Sequence, residues 1–148
     1  MDRDLLIKEC IRIKLPVEMI ALIAKCLANT YFNVNGGIRL KSGVMQGSVL
    51  GPTLFSIYIN SLLKELEPTT ISRHCYADDL AIVCYDQFSL EKSIKTVQDW
   101  CSRTKMALNK AKSGILVIRV DGRTRQIKRR EFAGIPVVKE YTYLGLKV

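Results

Sequence analysis

A chain of 148 residues that is 48% hydrophobic and 25% charged has the length of one domain and enough apolar material for a buried core. Its 23 lysines and arginines against 14 aspartates and glutamates give a net charge of +9, which favours nucleic acids as partners, although a solvated basic surface gives the same count. Five cysteines without a C-x-x-C pair and a single histidine argue against a zinc site or a disulfide framework, and no apolar run approaches the roughly 20 residues of a membrane span.

The chain begins with two predicted helices. Apolar residues recur at helical spacing over residues 4–14, and Asp2 or Asp4 is suitably placed to cap this helix. Pro16 breaks the pattern and suits the first turn of a second helix, which is predicted to extend to about residue 29.

A hairpin and a glycine-rich loop separate these helices from a third. Asn35-Gly36 is a strong signal for a tight turn, so residues 31–40 are predicted to form a β-hairpin. Residues 43–52 are rich in glycine and are predicted to form a loop. Apolar residues then recur at helical spacing over residues 53–65, which predicts a helix directly after the loop.

Two β-prone runs, residues 71–77 and 80–85, flank Asp78-Asp79 and predict a second hairpin. Ser89 is a candidate N-cap for the next helix, which is predicted to extend to about residue 108. The inner face of this helix is predicted to carry Ile94, Val97, Cys101 and Leu108.

The last part of the chain is predicted to be β-rich. Residues 115–120 and 137–148 are β-prone, and the basic run from Arg119 to Arg130 between them is either a contact for nucleic-acid backbone or a solvated loop. Helices and antiparallel strands without a regular β-α-β alternation predict an α+β fold with helices packed on one face of a sheet. No repeat or linker interrupts the pattern, so residues 1–148 are predicted to form one domain.

The segment with the most chemical content is Tyr76-Ala77-Asp78-Asp79, which lies between the two apolar strands. Adjacent carboxylates repel each other, so their placement at a hairpin tip is unfavourable unless a cation lies beside them. Aspartate also tolerates the backbone angles of tight turns, and an exposed turn without function is the alternative interpretation. The pair is therefore a candidate metal site.

The glycine-rich segment 42–55 is the second chemically informative stretch. Its glycines at positions 43, 47 and 51 allow the backbone to approach a ligand closely, and the helix that follows begins with free N–H groups that suit phosphates. The alternative is a connector that leads into a buried helix.

Together and in this order, the two segments resemble the central motifs of reverse transcriptases, in which G-x-x-Q-G-x-x-x-x-P-x-L-F precedes a helix and a Y/F-x-D-D hairpin follows it. Met45 stands where the family more often has proline. Residues 47–62 are most similar to non-LTR retrotransposon enzymes, and group II intron maturases are an alternative within the same family. The matching residues are Gly43, Gln46, Gly47, Pro52, Leu54 and Phe55 in the first motif and Tyr76, Asp78 and Asp79 in the second.

Two later segments extend the resemblance. Residues 109–113, Asn-Lys-Ala-Lys-Ser, are similar to the family's N-x-x-K-T/S motif, which implies that Lys112 protonates the leaving pyrophosphate. Tyr143-Leu144-Gly145 resembles the family's Y-L-G strand, which supports the primer terminus. A solvated surface lysine and an ordinary aromatic strand are the respective alternatives.

The resemblance implies a polymerase palm, with an antiparallel sheet and helices on one face, that transfers nucleotides to a primer 3′-hydroxyl by a two-metal mechanism. Asp78 is expected to bind Mg²⁺ (or Mn²⁺) directly, with Asp79 beside it or in the surrounding shell of ligands. Gln46, Gly47 and Tyr76 are expected to contact template or nucleotide. The implied partners are an RNA template, a DNA primer and deoxynucleoside triphosphates.

The family also has an aspartate on a preceding strand, in a pattern like A-F-D-x-V/I-x-H/R-x-x-L. Residues 1–6 align with the tail of this pattern and place Arg3 at its H/R position, so that aspartate would fall two residues before Met1. Asp2 and Asp4 fit better as helix caps than as metal ligands. The sequence is therefore expected to be a partial palm without the first catalytic strand, fingers and thumb, and the isolated chain is expected to be inactive or nearly so.

Two functions of other classes stay open on the sequence alone. A catalytically inactive retroelement remnant would still bind RNA or DNA non-specifically through its positive charge. An unrelated two-metal nuclease is disfavoured because the sequence supplies no further cluster of acidic residues or histidine.

No segment of the sequence identifies the cellular compartment. The resemblance implies an intracellular protein, and a nuclear one if it derives from a retrotransposon.

Overall fold

The computed structural model describes residues 1–32, 38–39, 42–45, 47–118 and 129–148. Contacts between residues divide the chain into two compact units, Met1–Met106 and Ala107–Val148. The mixture of helices and strands confirms the predicted α+β class, whereas the expectation of a single domain stays a prediction. Among the described residues, no helix combines the length and the apolar character that crossing a membrane requires.

The described part of the first unit contains four α-helices near the predicted positions. The Asp2 carboxylate caps the first helix by accepting hydrogen bonds from the N–H groups of Asp4 at 3.0 Å and Leu5 at 3.1 Å. Pro16 immediately precedes the second helix, and Pro52 lies in the first turn of the third, where a missing N–H is tolerated. The helices are α1 (Arg3–Arg12), α2 (Val17–Ala28), α3 (Gly51–Leu66) and α4 (Gln87–Thr104).

Helix α4 begins earlier than predicted. Its N-cap is Asp86, and the prediction of Ser89 was wrong, because the Asp86 carboxylate accepts a hydrogen bond from the Ser89 N–H at 2.8 Å. Both residue types are good N-caps, and three positions separate them. The carboxylate of Asp86 also interacts favourably with the positive end of the helix dipole.

We expect Asp86→Ala to lower the free energy of unfolding by about 1 kcal/mol, because it leaves the Ser89 N–H without its acceptor. Urea denaturation followed by circular dichroism measures the change. Asp99→Ala, at an exposed position inside α4, removes the same charge and should change stability by less than about 0.5 kcal/mol. Equal losses in the two variants would show that charge, and not the cap, is responsible.

Helix α4 also ends earlier than predicted. Lys105 adopts the left-handed region with φ 55°, and its N–H donates to the carbonyl of Cys101, which terminates the helix after Thr104. Leu108 therefore lies outside α4, and its predicted place on the inner helix face was wrong. The other predicted inner-face residues are buried (Ile94) or partly buried against the core (Val97 and Cys101).

The core of the first unit is centred on Tyr58 of α3, whose side chain is 1% exposed. Its hydroxyl accepts a hydrogen bond from the Asp2 N–H at 3.2 Å and donates one to the Thr104 carbonyl at 3.1 Å. The rings of Tyr58 and Trp100 meet edge to face with centroids 5.7 Å apart, and Trp100 Nε1 donates to Ser61 Oγ at 2.8 Å. Burial raises the pKa of Tyr58, which keeps its hydroxyl protonated. One side chain thus joins α3 to the start of α1 and the end of α4.

The described strands of the first unit form two antiparallel pairs. Strand β1 (Tyr31–Phe32) pairs with β2 (Ile38–Arg39), as the predicted hairpin requires, while its predicted Asn-Gly turn lies outside the described residues. Strand β3 (Ser72–Tyr76) pairs with β4 (Asp79–Val83), which confirms the second predicted hairpin. The β3–β4 hairpin packs against the helical core through Cys75, Leu80 and Ile82.

The second unit is small and β-rich. Its described residues include a 3-10 turn at Lys110–Lys112 and three strands in the order β5-β7-β6, followed by the β8–β9 hairpin. Pairing of β5 with β7 is parallel, whereas β6 with β7 and β8 with β9 are antiparallel. Among the residues that the structure describes here, the buried hydrophobic side chains are Ile115, Phe132 and Ile135. The strands are β5 (Ile115–Leu116), β6 (Glu131–Phe132), β7 (Ile135–Val138), β8 (Thr142–Tyr143) and β9 (Leu146–Lys147).

Candidate active site

The paired aspartates lie at the tip of the β3–β4 hairpin. Tyr76 at the end of β3 pairs with Asp79 at the start of β4, which leaves Ala77 and Asp78 as the two residues of the turn. Both aspartates are exposed, and Tyr76 is 69% exposed. The two carboxylates and the aromatic ring are therefore accessible to a cation and to a nucleic acid.

The turn that carries Asp78 is conformationally strained. Ala77 has φ 51°, in the left-handed region that residues other than glycine rarely adopt. Two-residue hairpin turns require positive φ and usually place glycine or asparagine there. Such conformations cost on the order of 1–3 kcal/mol, persist only where the surrounding structure enforces them, and concentrate at functional sites. Here the enforcing structure is the antiparallel pairing of β3 with β4 and its packing on the core.

Cys75 supports this turn from the inner side of the hairpin. Its thiol donates to the carbonyl of Ala77 with Sγ and O 3.3 Å apart. Burial raises the pKa of Cys75, and the negative charges of Asp78 and Asp79 raise it further, so the thiol keeps the proton that it donates. The sequence motifs predicted no role for Cys75. Side chains alternate between the two faces of a strand, however, and Cys75 lies one residue before the exposed Tyr76, so an inward side chain was the signal that could have identified it.

Two carboxylates make up the acidic part of this site. In the part of the chain that the structure describes, no group of three or more His, Cys, Asp or Glu side chains is placed to hold a metal ion. Asp2 caps α1, which confirms the prediction that it acts as a helix cap. Its Oδ2 also lies 3.9 Å from the Lys105 Nζ. Asp78 and Asp79 are thus the candidate cation ligands, with the rest of a coordination shell open to water or phosphate oxygens.

The glycine-rich loop leads into α3 in the same unit. Gly43 and Gly47 have φ 74° and 82°, and a side chain at either position would meet open space, so these glycines are needed for backbone conformation and not for close packing. Gln46 lies outside the described residues, and its predicted contact with template or nucleotide stays a prediction. Val44 in the loop and Phe55 in α3 pack against the same hydrophobic core as the β3–β4 hairpin that carries the aspartates.

The start of the glycine-rich loop is tied to the N-terminal segment. The Gly43 N–H donates to the Met1 carbonyl at 2.9 Å, and Arg3 Nε donates to the Gly43 carbonyl at 3.0 Å. Arg3 also donates through a second guanidinium nitrogen to the carbonyl of Leu27 near the end of α2. The sequence pattern places Arg3 at a family position and predicts no structural role for it, whereas in the structure its guanidinium links α1, α2 and the loop.

We expect Arg3→Met to lower the free energy of unfolding by about 1.5–3 kcal/mol, because two backbone carbonyls lose a charged donor. Backbone amide exchange should accelerate most at Gly43, beside the lost contact. Arg12→Met is the matched control, since Arg12 lies in the same helix and pairs on the surface with Glu9, and it should cost less than about 1 kcal/mol. Unchanged exchange at Gly43 in Arg3→Met would contradict the anchoring role.

Lys112 lies in the second unit, at the end of the 3-10 turn. The Asn109 side chain accepts a hydrogen bond from the Lys112 N–H at 3.2 Å, and Ser113 Oγ donates to the Asn109 carbonyl at 2.8 Å. The N-x-x-K-S spacing thus has a local reason, since its first and last residues close the turn that carries the lysine. The role of Lys112 in protonating pyrophosphate stays a prediction.

The predicted primer-support residues form the tip of the β8–β9 hairpin. Tyr143 pairs with Leu146, and the turn between them consists of Leu144 and Gly145, with φ 49° and 82°. After Ala77 and Ala133, Leu144 is the third non-glycine residue of the described chain held in the left-handed region at a hairpin tip, and it is 50% exposed. An exposed leucine in a strained turn is consistent with a contact surface, and its role with the primer stays a prediction.

The basic run between Arg119 and Arg130 falls mostly outside the described residues, which resume at Arg129. The Arg129 guanidinium lies over the ring of Phe132, 5.8 Å from its centroid. The predicted contact of this run with nucleic-acid backbone stays a prediction.

The family model described as reverse transcriptase (RNA-dependent DNA polymerase) matches residues 2–148. The chain therefore belongs to the reverse transcriptase family, whose fold is the polymerase palm, as its motifs predicted. No solved structure matches the chain.

The chain is similar to proteins of insect retrotransposons. It is 28% identical over 116 residues to a retrovirus-related Pol polyprotein from the type-1 retrotransposable element R1 of Nasonia vitripennis. This alignment covers 70% of this chain and 34% of that protein. It is 30% identical over 119 residues to a putative 115 kDa protein in the type-1 retrotransposable element R1DM of Drosophila melanogaster, in an alignment that covers 75% of this chain and 11% of that protein. It is 27% identical over 125 residues to the RNA-directed DNA polymerase from mobile element jockey of Drosophila funebris, in an alignment that covers 72% of this chain and 13% of that protein. The chain thus spans about a third or less of these relatives, and their type confirms the predicted resemblance to non-LTR elements.

Proposed function

We propose that this chain is part of the palm of an RNA-directed DNA polymerase, in which Asp78 and Asp79 hold the divalent cations of a two-metal nucleotidyl transfer in the full-length enzyme. The observation that carries the proposal is the exposed aspartate pair on a strained hairpin tip, in a chain that belongs to the reverse transcriptase family. Exposure suits this role because the primer terminus and the nucleotide must reach the same carboxylates from solvent.

The donor set suits Mg²⁺, with Mn²⁺ as a substitute. Hard cations prefer carboxylate and phosphate oxygens, and the hairpin tip offers two adjacent carboxylates. When bound, these cations stabilise the charge on the attacking 3′-hydroxyl and on the leaving pyrophosphate. Asp78, in the turn itself, is the direct ligand in this proposal, and Asp79 lies beside it on β4.

The remaining residues position the substrates. Gln46 and Gly47 contact the template strand or the nascent base pair, and Tyr76 lies on the exposed end of β3 next to the carboxylates. Lys112 donates a proton to the pyrophosphate oxygen that becomes negatively charged as the bond to the α-phosphate breaks. The hairpin tip formed by residues 143–145 supports the primer terminus. The partners are an RNA template, a DNA primer and deoxynucleoside triphosphates, which the net charge of +9 attracts.

Primer extension tests the proposal. A DNA primer annealed to an RNA template is incubated with the chain, deoxynucleoside triphosphates and either Mg²⁺ or Mn²⁺, and Asp78→Asn serves as the inactive control. Extension that requires the template and disappears in Asp78→Asn supports the proposed function. Extension of equal rate in both proteins would assign the activity to another group or to a contaminant.

A nucleic-acid-binding protein without catalysis is the second candidate. It is favoured by the net charge of +9 together with the finding that, over the described ranges, the aspartate pair has no third protein ligand. In that case the chain gives no extension with either metal, binds RNA and DNA with affinity that falls steeply with salt, and Asp78→Asn leaves that binding unchanged.

A further inference from the structure

In the described part of the second unit, the lysine-bearing turn takes part in a long-range hydrogen bond. The Asn109 side chain accepts a hydrogen bond from the Lys112 N–H at 3.2 Å. The hydroxyl of Tyr141, 29 residues later in the chain, donates a hydrogen bond to the Lys112 carbonyl. The N–H and the carbonyl of Lys112 are therefore held by different parts of the chain.

Tyr141 is itself fixed by its backbone. Its N–H donates to the Val148 carbonyl at 3.0 Å, and the Val148 N–H donates to the Tyr141 carbonyl at 2.9 Å. These two bonds close the open end of the β8–β9 hairpin, whose tip carries residues 144–145. The hydroxyl of Tyr141 therefore projects from a hairpin and not from a mobile loop.

Gly114 allows the Tyr141 ring to approach the lysine-bearing turn. A Cβ at position 114 would lie 2.8 Å from Tyr141 Cδ2 and 3.1 Å from both Tyr141 Cε2 and Val138 Cγ2. Real Cβ atoms essentially never lie as close as 2.8 Å to another side chain, so a larger residue at position 114 would require the ring to shift. Gly114 does not have positive φ, so its backbone conformation does not require glycine. The close approach of the Tyr141 ring is the reason that a glycine is needed here.

We propose that Tyr141 is a positioning residue for Lys112, and that it fixes the lysine-bearing turn to the β8–β9 hairpin through the Lys112 carbonyl. This inference rests on the proposed function, in which Lys112 is the proton donor to pyrophosphate. A general acid acts only within hydrogen-bond reach of its acceptor, and displacements of about 1 Å can reduce rates by about 100-fold. The same bond couples the predicted proton donor to the predicted primer support, because both are held by one hairpin.

Amide hydrogen exchange tests the contact without reference to activity. Tyr141→Phe keeps the ring over Gly114 and removes only the hydroxyl, whereas Thr142→Val removes a hydroxyl from the neighbouring exposed residue. We expect exchange at the amides of Lys112 and Ser113 to accelerate about 3- to 10-fold in Tyr141→Phe and to stay unchanged in Thr142→Val. Equal exchange in the two variants would overturn the proposal.

A double-mutant cycle separates positioning from a general structural role. In the primer-extension assay, Tyr141→Phe should lower kcat about 10- to 100-fold with little change in KM, and should change kcat less than about 2-fold when Lys112 is already alanine. The same loss in both backgrounds would overturn the proposal, because it would show that Tyr141 acts independently of Lys112. If the unmodified chain extends no primer, the result expected of an isolated partial palm, the proposed function is tested separately in a protein that also contains the preceding catalytic strand. The exchange rates alone then decide whether Tyr141 positions the turn.

Discussion

Tyr58→Ala should lower the free energy of unfolding by about 3–5 kcal/mol, the largest loss of stability that we expect from a single substitution in the first unit. The side chain is 1% exposed and lies edge to face on Trp100, so its removal leaves a cavity between α3 and α4. The substitution also leaves the Asp2 N–H and the Thr104 carbonyl without the hydroxyl that satisfies both.

Two further tyrosine variants separate these contributions. Tyr58→Phe keeps the ring and removes the hydroxyl, and we expect it to cost about 1–3 kcal/mol. Tyr85→Ala is the surface control, because Tyr85 is 83% exposed, and it should change stability by less than about 0.5 kcal/mol. Chemical denaturation measures all three, and a loss in Tyr58→Ala no larger than in Tyr85→Ala would show that Tyr58 does not organise the core.

Local patterns in the sequence were sufficient to locate the helices. Apolar spacing predicted α1, α2 and α3, and the capping preference of aspartate predicted that Asp2 or Asp4 begins α1. The ends of α4 were mispredicted for two physical reasons. Asp86 and Ser89 are equally good caps three residues apart, and the helix is ended by a left-handed lysine, Lys105, where a glycine would have been the usual signal.

In the candidate site too, local features could be predicted from the sequence, and features that depend on distant contacts could not. The order of the Gln-Gly and Asp-Asp motifs located the loop and the hairpin, because both are local. The left-handed Ala77 could not be predicted, since alanine disfavours that conformation and only the pairing of β3 with β4 imposes it. Contacts between distant segments, such as Arg3 with Gly43 and Tyr141 with Lys112, leave no periodic signal in the sequence.

These unpredicted contacts share a function within the fold, because each supports a segment that carries a motif residue. The Cys75 thiol bonds to the turn that carries Asp78, and Arg3 anchors the start of the glycine-rich loop. Tyr141 holds the turn that carries Lys112. Motif residues are recognised by their identity, whereas the residues that hold them are recognised only by their contacts.

Asp78→Asn should reduce template-dependent nucleotide incorporation by about 10³-fold or more, if the loss of one ligand charge removes about 4 kcal/mol of transition-state stabilisation. The change is isosteric and lies at an exposed position, so we expect the free energy of unfolding to change by less than about 0.5 kcal/mol. Activity and stability therefore separate in this variant, unlike in Tyr58→Ala.

Two matched variants define what the loss in Asp78→Asn means. Asp79→Asn removes a carboxylate beside the proposed direct ligand, and it should reduce incorporation by a smaller factor than Asp78→Asn does. Asp99→Asn makes the same change of charge at an exposed position of α4 and should leave incorporation within about 2-fold of the unmodified chain. Rates are measured by single-nucleotide extension over a range of Mg²⁺ concentrations, because weakened ligation should also raise the Mg²⁺ concentration that half-maximal activity requires. If Asp78→Asn and Asp99→Asn lose activity equally, net charge and nucleic-acid affinity explain the effect, and Asp78 is not a metal ligand.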